Sequence, residues 1–129
     1  MRRIAARIDA ATQALAETLT REQGKPLRDA QGEIMFAGYS LNLTAGLDLS
    51  PRTVKEDDNV RVVEYRHPLG VVAAITPWNF PIMLLINKIG PALLAGNTLG
   101  IKPAPTTPLP TLMPGPLCAD LFPAGVVNV

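Results

Sequence analysis

The chain has 129 residues, which is enough for one domain of ordinary size, and its net charge of +1 indicates no nucleic-acid or acidic-surface partner. Its hydrophobic content of 47%, with 18% charged residues, is typical of a globular protein and not of a disordered one. A single cysteine, Cys118, excludes an internal disulfide, and no apolar signal peptide follows the basic Met1-Arg2-Arg3 start, so we expect a cytoplasmic protein.

Two amphipathic helices are predicted in the first third of the chain. Apolar residues at helical spacing predict one helix over residues 3–22, which Gly24 ends. A second apolar stripe runs over residues 27–41, with Gly38 in its middle. We interpret both stripes as core packing. The charged residues of this region are expected to be solvated at the surface: Glu22, Lys25 and Glu33.

Residues 49–66 predict a β-hairpin, because short β-rich runs lie on either side of a polar turn over residues 55–59. An exposed hairpin edge favours pairing with another strand, so we expect this segment to contribute to an oligomer. His67 follows as the only histidine of the chain. One histidine without other ligands cannot build a metal site, so we predict no bound metal and interpret His67 as structural or exposed.

The stretch from Gly70 to Leu109 predicts a βαβ unit. Leu69 to Ile75 is a nearly continuous apolar run, as expected of a strand buried on both faces, and Thr98 to Ile101 is a second short run. Between them, Pro81 to Leu94 suits a helix, with proline in the first turn and Gly96 after the last. The strands of such a unit are parallel, so their carboxyl ends share one edge of the sheet, where ligands of open α/β sheets bind.

The most apolar window of the chain, Phe80 to Leu99, lies in this unit, and we expect no membrane span from it. Asn87 and Lys88 lie at its middle, and lysine at mid-bilayer costs about 2.5–3.5 kcal/mol. Pro91 and the small residues around it also suit a packed helix better.

Three side chains near the predicted sheet edge offer specific chemistry. Asn79 lies just before the predicted helix, where the backbone dipole favours negative charge, and its amide can donate hydrogen bonds to an oxyanion. Lys102 ends the second strand and can reach ribose hydroxyls or a phosphate, and Trp78 offers a flat apolar wall. Spacing alone also allows another interpretation, in which Trp78 is core, Asn79 caps the helix and Lys102 is a solvated surface charge.

The last quarter of the chain is expected to hold an interrupted helix and a strand. Thr107-Pro108 suits a helix start, but Pro114-Gly115-Pro116 interrupts it, because proline in a helix interior costs about 3 kcal/mol or more. We therefore predict a kinked, shortened or poorly ordered helix. Cys118 is interpreted as a small buried helix residue and not as a nucleophile, and Val126 to Val129 predicts a third parallel strand.

Several spaced motifs, in the right order, resemble those of the aldehyde dehydrogenase superfamily. They are ITPWNFP at residues 75–81, GPALLAGNT at 90–98, KPA at 102–104 and TPL at 107–109. Further similarity lies in EQGKPL at residues 22–27, in Glu33 and in PAGVVNV at residues 123–129. The resemblance covers nearly the whole chain, and several motifs together are far more specific than one short pattern.

The resemblance implies an α/β fold: a partial Rossmann-type parallel sheet with flanking helices, two N-terminal helices and a β-hairpin. Residues 1–129 are then part of the cofactor-binding domain, with residues 49–66 in the oligomerisation region. Members of the family oxidise an aldehyde to a carboxylic acid with NAD or NADP, and a complete member is expected to be a homo-oligomer. Their nucleophilic cysteine and general-base glutamate match no residue here, so the chain resembles a fragment that is expected to be inactive alone.

The resemblance also implies roles for residues at the sheet edge. Asn79 looks like the catalytic amide that, with a backbone N–H, binds the oxyanion, and Lys102 looks like the cation that contacts the adenosine ribose. The residues that look like the lining of the cofactor cleft are Ile75, Thr76, Pro77 and Trp78. Many members place a glutamate three residues after the lysine to hold the ribose hydroxyls. Pro105 stands at that position and cannot do so, which leaves both NAD and NADP open.

Two other functions fit parts of the sequence. A non-catalytic assembly or binding module would use the hairpin and the apolar helix faces to pair with another chain. A phosphorylating acyl or glutamyl-phosphate reductase of similar fold is the second alternative. The run at residues 77–81 favours the aldehyde oxidisers over that reductase, so aldehyde oxidation is the preferred prediction.

Overall fold

The computed structural model describes all 129 residues, which form six helices, five strands and a short 3-10 turn. The helices are α1 (Arg2–Ala10), α2 (Thr12–Gln23), α3 (Leu27–Thr44), α4 (Pro81–Leu94), α5 (Leu109–Leu112) and α6 (Pro114–Cys118). The strands are β1 (Arg52–Glu56), β2 (Arg61–Glu64), β3 (Val71–Ile75), β4 (Thr98–Lys102) and β5 (Val127–Asn128). β3, β4 and β5 form a parallel sheet in that order, and β1 pairs with β2 in an antiparallel hairpin.

The prediction of one helix over residues 3–22 was wrong, because the chain turns at Ala11 and forms α1 and α2 instead. The Ala11 N–H binds the carbonyl of Ile8 as well as that of Arg7, which tightens the last turn of α1. The Thr12 hydroxyl then donates to the Asp9 carbonyl at 2.7 Å. Both short helices bury their apolar faces, which are formed by Ile4, Ile8, Leu15 and Leu19.

The long helix α3 packs against α1, α2 and α4, and the predicted apolar stripe on it is confirmed. Ala30, Ile34, Ala37 and Leu41 of that stripe are fully buried, whereas Leu27, its first residue, is exposed. A Cβ atom at Gly38, in the middle of the stripe, would meet the carboxylate of Asp9 on α1, which is the end of an exposed side chain that can move aside.

The βαβ unit is confirmed, with α4 connecting β3 to its parallel neighbour β4. Pro81 occupies the first turn of α4. At the other end, the buried Asn97 side chain accepts the Gly70 N–H at 3.0 Å and donates to the Ala92 carbonyl at 3.0 Å. This residue therefore ties the end of the helix to the start of β3. α4 has only 14 residues, and no helix of the chain has both the length and the apolar content needed to cross a membrane.

The expectation that Leu69 to Ile75 is buried on both faces was wrong. Within β3 only Ala74 is buried, and Val71 is 81% exposed. The reason is that β3 is an edge strand that pairs only with β4, so its second edge and much of one face lie open. A continuous apolar run is typical of a covered strand, and this strand has such a run without the cover.

The predicted hairpin is confirmed. Every residue of β1 is exposed, and β1 and β2 pair only with each other. A bulge lies between Thr53 and Lys55. The turn is closed by Asp57, whose carboxylate accepts the N–H groups of Asn59 and Val60 at 3.0 and 2.9 Å. These bonds, with a larger effect from the Lys55 side chain, lower the pKa of Asp57.

The predicted interruption near Pro114 is also confirmed, since the region forms two short helices, α5 and α6, separated by Met113. Arg7 of α1 holds the end of this segment. Its guanidinium donates to the Leu117 carbonyl at 2.6 Å and pairs with the Asp120 carboxylate, lowering the pKa of Asp120 to about 2. Cys118 is buried as predicted, and burial raises the pKa of its thiol.

Replacing Pro114 and Pro116 together by alanine is expected to fuse α5 and α6 into one helix. Each change restores a backbone N–H and removes the clash of the ring with the preceding turn. Far-UV circular dichroism of the double variant should show more helix at 222 nm than the unchanged chain, and Pro123→Ala, outside any helix, is the control. An unchanged or reduced helix signal in the double variant would contradict this explanation of the break.

Candidate functional site

The ends of β3 and β4 lie side by side at the carboxyl edge of the parallel sheet. Ile75 pairs with Lys102 in the strand register, and the N–H of Thr76 donates to the Lys102 carbonyl at 3.1 Å. The segment that carries Trp78 and Asn79 leaves the sheet from this point. The structure therefore brings the two candidate segments together on one edge, as the sequence predicted.

The candidate side chains at this edge are mostly open to solvent. Ile75 is 61% exposed and Trp78 is 60% exposed, so the interpretation of Trp78 as core is wrong. Asn79 is exposed, and its side chain makes no hydrogen bond within the chain. Lys102 is exposed too, and its ammonium donates only to the Pro103 carbonyl, at 3.2 Å. The exposed Ile75 and Trp78 surfaces and the free Lys102 donors are therefore available to a ligand.

Thr76 differs from its neighbours because it is buried while its hydroxyl has no hydrogen-bond partner. A buried polar atom without a partner costs free energy, so such an atom calls for an explanation, and a bound group that supplies the partner is one. An orphan hydroxyl, two exposed apolar surfaces and an exposed cation together fit a nucleotide, which needs an apolar wall, hydrogen-bond partners and a positive charge. Pro105, exposed beyond β4, offers neither a carboxylate nor a backbone donor.

The backbone beneath Asn79 is held by side chains from the turn between α2 and α3. The Gln23 amide donates to the carbonyls of Trp78 and Asn79 at 2.8 and 2.9 Å. The Lys25 ammonium donates to the Asn79 carbonyl at 2.8 Å and lies 3.9 Å from the centre of the Phe80 ring. The sequence did not predict these contacts of Gln23 and Lys25, because their partners lie 54 to 56 residues further along the chain.

The expectation that Lys25 and Glu33 are solvated surface charges was wrong. The side chain of Glu33 is 0% exposed, that of Lys25 is 11% exposed, and the two form an ion pair. The other carboxylate oxygen of Glu33 accepts the backbone N–H groups of Ile82 and Met83, at 3.0 and 3.2 Å. One signal was available, because Glu33 lies three residues from Ala30 and so falls on the buried stripe of α3.

Glu33, on α3, therefore caps the first turn of α4. Asn79 is not the helix cap, since the N-cap residue is Phe80 and no side chain of the loop makes a cap hydrogen bond. The positive end of the helix dipole is already met by the Glu33 carboxylate. An oxyanion at this edge would depend on the Asn79 side-chain amide and not on the first turn of α4.

The expectation that Glu22 is a solvated surface charge was wrong in part. It is half-buried, and one of its carboxylate oxygens accepts the Leu109 N–H at 3.3 Å, which ties α2 to the start of α5. The Thr107 hydroxyl donates to the Trp78 carbonyl at 3.4 Å from the same side. The loop from Thr76 to Phe80 is thus also held by Thr107, which lies shortly before α5.

Two further features bear on the chemistry. His67 is exposed and stacks on Tyr65, and no group of three or more histidine, cysteine, aspartate or glutamate side chains could hold a metal ion. Cys118 lines an apolar cavity of about 380 Å³ between α1, α4, α6 and β5. None of the candidate residues at the sheet edge lines that cavity, so Cys118 does not share their site.

The fold is an open α/β sheet with its candidate site at the carboxyl edge of the strands, as in ligand-binding proteins of this class. A family model described as Aldehyde dehydrogenase family matches residues 1–129, which is the whole chain. The chain belongs to the aldehyde dehydrogenase family. The motifs quoted from the sequence and the confirmed βαβ unit agree with this assignment.

Relatives of known sequence are similar over most of the chain. Succinate-semialdehyde dehydrogenase (NADP(+)) GabD of Escherichia coli is 43% identical over 119 residues, covering 89% of this chain and 25% of that protein. Retinaldehyde dehydrogenase 3 of Homo sapiens is 41% identical over 131 aligned positions, covering 94% of this chain and 24% of that protein. The chain spans about a quarter of the length of these relatives.

Solved structures give the same result for the fold. The structure of 3,6-anhydro-L-galactose dehydrogenase in complex with NAP matches with a TM-score of 0.88 at 41% identity, over 98% of this chain and 28% of that one. Succinate-semialdehyde dehydrogenase from Burkholderia pseudomallei matches with a TM-score of 0.90 at 42% identity, over 99% of this chain and 27% of that one. The α/β fold of the chain is therefore the aldehyde dehydrogenase fold.

Replacing Lys25 by methionine is expected to lower the free energy of unfolding by about 3–5 kcal/mol, because it leaves the buried Glu33 carboxylate without its partner. Lys55→Met is the matched control, since Lys55 pairs with Asp57 in the exposed hairpin, where solvent screens the pair and its loss should cost little stability. Urea denaturation of both variants measures the difference. Equal losses in the two variants would show that the Lys25 pair is no more than a surface contact.

Proposed function

We propose that this chain serves in an NAD(P)-dependent aldehyde dehydrogenase that oxidises an aldehyde to a carboxylic acid. Residues 1–129 would supply part of its cofactor-binding domain. The observation that carries the proposal is the arrangement at the sheet edge, where the unpartnered Thr76 hydroxyl and the exposed Lys102 ammonium lie at the tips of paired strands. The GabD relative is named as an NADP(+) enzyme, and the 3,6-anhydro-L-galactose dehydrogenase structure is titled as a complex with NAP.

Asn79 is the catalytic residue that we assign to this chain. Attack of a nucleophile on an aldehyde carbonyl moves negative charge onto the oxygen, and the Asn79 amide would donate a hydrogen bond to that oxygen. An amide suits this task because it stays neutral and keeps its donor at every working pH. One such donor typically contributes about 2.7–4 kcal/mol to the transition state, which is a factor of about a hundred to a thousand in rate.

The cofactor would lie along the strand tips, against Trp78 and the segment Ile75, Thr76 and Pro77. A bound nicotinamide supplies the acceptor for the hydride that leaves the aldehyde carbon. Lys102 would contact the ribose hydroxyls of the adenosine, or the 2′-phosphate of NADP, as a charged donor. At Pro105 there is no carboxylate to repel that phosphate, so we propose that the site accepts NADP as well as NAD.

Cys118 does not supply the nucleophile in this proposal. It is buried, burial raises the pKa of its thiol, and it lines a cavity away from the sheet edge. A thiol with a raised pKa is a poor nucleophile at neutral pH. We therefore propose that the 129-residue chain alone does not oxidise aldehydes, and formation of NADH or NADPH by the purified chain would contradict this.

The hairpin at residues 49–66 supports a further part of the proposal, that the complete protein is a homo-oligomer. Its strands pair only with each other, and all of β1 is exposed, so an open edge is available for another strand. The same feature supports the alternative function, a non-catalytic module that assembles with a partner chain. We place the protein in the cytoplasm, as its sequence suggested.

Nucleotide binding can be tested directly, because Trp78 is the only tryptophan of the chain and is largely exposed at the proposed cleft. When Trp78 is excited at 295 nm, its fluorescence is expected to be quenched by NAD⁺ and by NADP⁺. Lys102→Met should weaken NADP⁺ binding about tenfold or more, since a hydrogen bond to a charged group contributes about 1.5–3 kcal/mol.

Lys88→Met is the matched control, because Lys88 is an exposed lysine on α4 and not among the cofactor residues proposed here. Pro105→Glu should weaken NADP⁺ binding more than NAD⁺ binding, because the new carboxylate repels the 2′-phosphate. The proposed cleft would be refuted if neither nucleotide bound at millimolar concentration. An unchanged NADP⁺ affinity in Lys102→Met would also refute it.

A further inference from the structure

The loop from Thr76 to Phe80 has no regular secondary structure, so its conformation depends on contacts from other elements. The carbonyls of Trp78 and Asn79 together accept three hydrogen bonds from Gln23 and Lys25. The Asn79 amide itself has no partner in the chain. The backbone fixes the position from which this side chain extends, and contacts from Gln23 and Lys25 hold that backbone.

We propose that Lys25 and Gln23, anchored by Glu33, are positioning residues that aim the Asn79 amide at the developing oxyanion. This inference rests on the catalytic role proposed for Asn79. Neither Gln23 nor Lys25 needs to touch substrate or cofactor for it. They fix the plane of the peptide that follows Asn79, and a donor must point at the oxyanion with little freedom to be effective.

The contacts of Lys25 explain why a lysine suits this position. An ammonium has three donors, and here it meets three groups: the Glu33 carboxylate, the Asn79 carbonyl and the face of the Phe80 ring. Glu33 lies on α3, whereas Asn79 and Phe80 are consecutive residues at the end of the loop. One side chain therefore sets the distance between α3 and the loop and also orients the loop.

Glu33 makes this arrangement rigid. It binds Lys25 with one oxygen and the first turn of α4 with the other, through the N–H groups of Ile82 and Met83. The loop is consequently held at the Asn79 carbonyl and again at the start of α4, only a few residues later. Gln23 adds two bonds from the end of α2 without any charge.

The alternative is that these residues only stabilise the fold, and a local spectroscopic measurement separates the two roles. In the isotope-labelled chain, Lys25→Met should shift the side-chain NH₂ resonances of Asn79 and the backbone amide of Phe80. It should also speed hydrogen exchange at the amides of Ile82 and Met83 by about tenfold or more. Strand amides at Gly100 and Ile101 should keep their shifts.

Two further variants keep the test decisive. Gln23→Leu removes only the uncharged bonds, so it should shift the Asn79 and Phe80 resonances while exchange at Ile82 and Met83 stays unchanged, even if Lys25→Met fails to fold. Lys25→Arg retains the charge and donors and should return the Asn79 resonances toward their original positions. Lys88→Met, on the exposed face of α4, should change none of them.

The proposal would be overturned if the Asn79 and Phe80 resonances were unchanged in folded Gln23→Leu. If Lys25→Met also folds, they would have to be unchanged in that variant too. These measurements need no nucleotide. If the loop responds as expected while NAD⁺ and NADP⁺ fail to bind the unchanged chain, the proposed function fails and the positioning contacts stand. If the nucleotides bind and the loop does not respond, only the positioning inference fails.

Discussion

The buried pair of Lys25 and Glu33 is the interaction on which the candidate site depends. Removing a carboxylate from water is costly unless it is paired and hydrogen-bonded, and Glu33 meets both conditions. Its partners come from two separate places, the α2–α3 turn and the first turn of α4, and Lys25 in turn binds the Asn79 carbonyl of the loop. Such pairs add little net stability compared with apolar packing, so the more important consequence here is that one loop conformation is specified.

Parallel strands supply the second constraint. Because β3 and β4 are parallel and in register at Ile75 and Lys102, the groups that follow both strands must emerge on one edge. The helices and the sheet have different tasks in this arrangement. The sheet brings the start of the loop that carries Asn79 to the same edge as Lys102, and contacts from Gln23 and Lys25 hold the end of that loop.

The features that follow from local sequence were predictable. Proline in the first turn of α4, glycine after its end and the apolar runs on either side gave the βαβ unit, and the two prolines around Gly115 gave the break between α5 and α6. The turn at Ala11 was missed because the apolar spacing continues across it. The exposure of β3 was missed because an apolar run indicates what a strand could bury, whereas burial itself depends on which elements cover it.

The positioning contacts could not be predicted, for a related reason. Glu33 lies on the apolar stripe of α3, yet its charge is tolerated because Lys25 pairs with it and two N–H groups 49 and 50 residues later donate to it. A local sequence pattern cannot show that residues so far apart along the chain are in contact in the fold. Motif resemblance named Asn79, but only the structure relates Asn79 to Gln23 and Lys25.

We propose that the segment Ile75–Asn79 and Lys102, at the tips of β3 and β4, line a single nucleotide cleft. Titration of the isotope-labelled chain with NADP⁺, followed residue by residue in the amide spectrum, tests it most directly. Resonances of both segments should shift together with one dissociation constant, while those of the hairpin should not move. Shifts confined to the apolar cavity around Cys118, or to only one of the two strand tips, would contradict it.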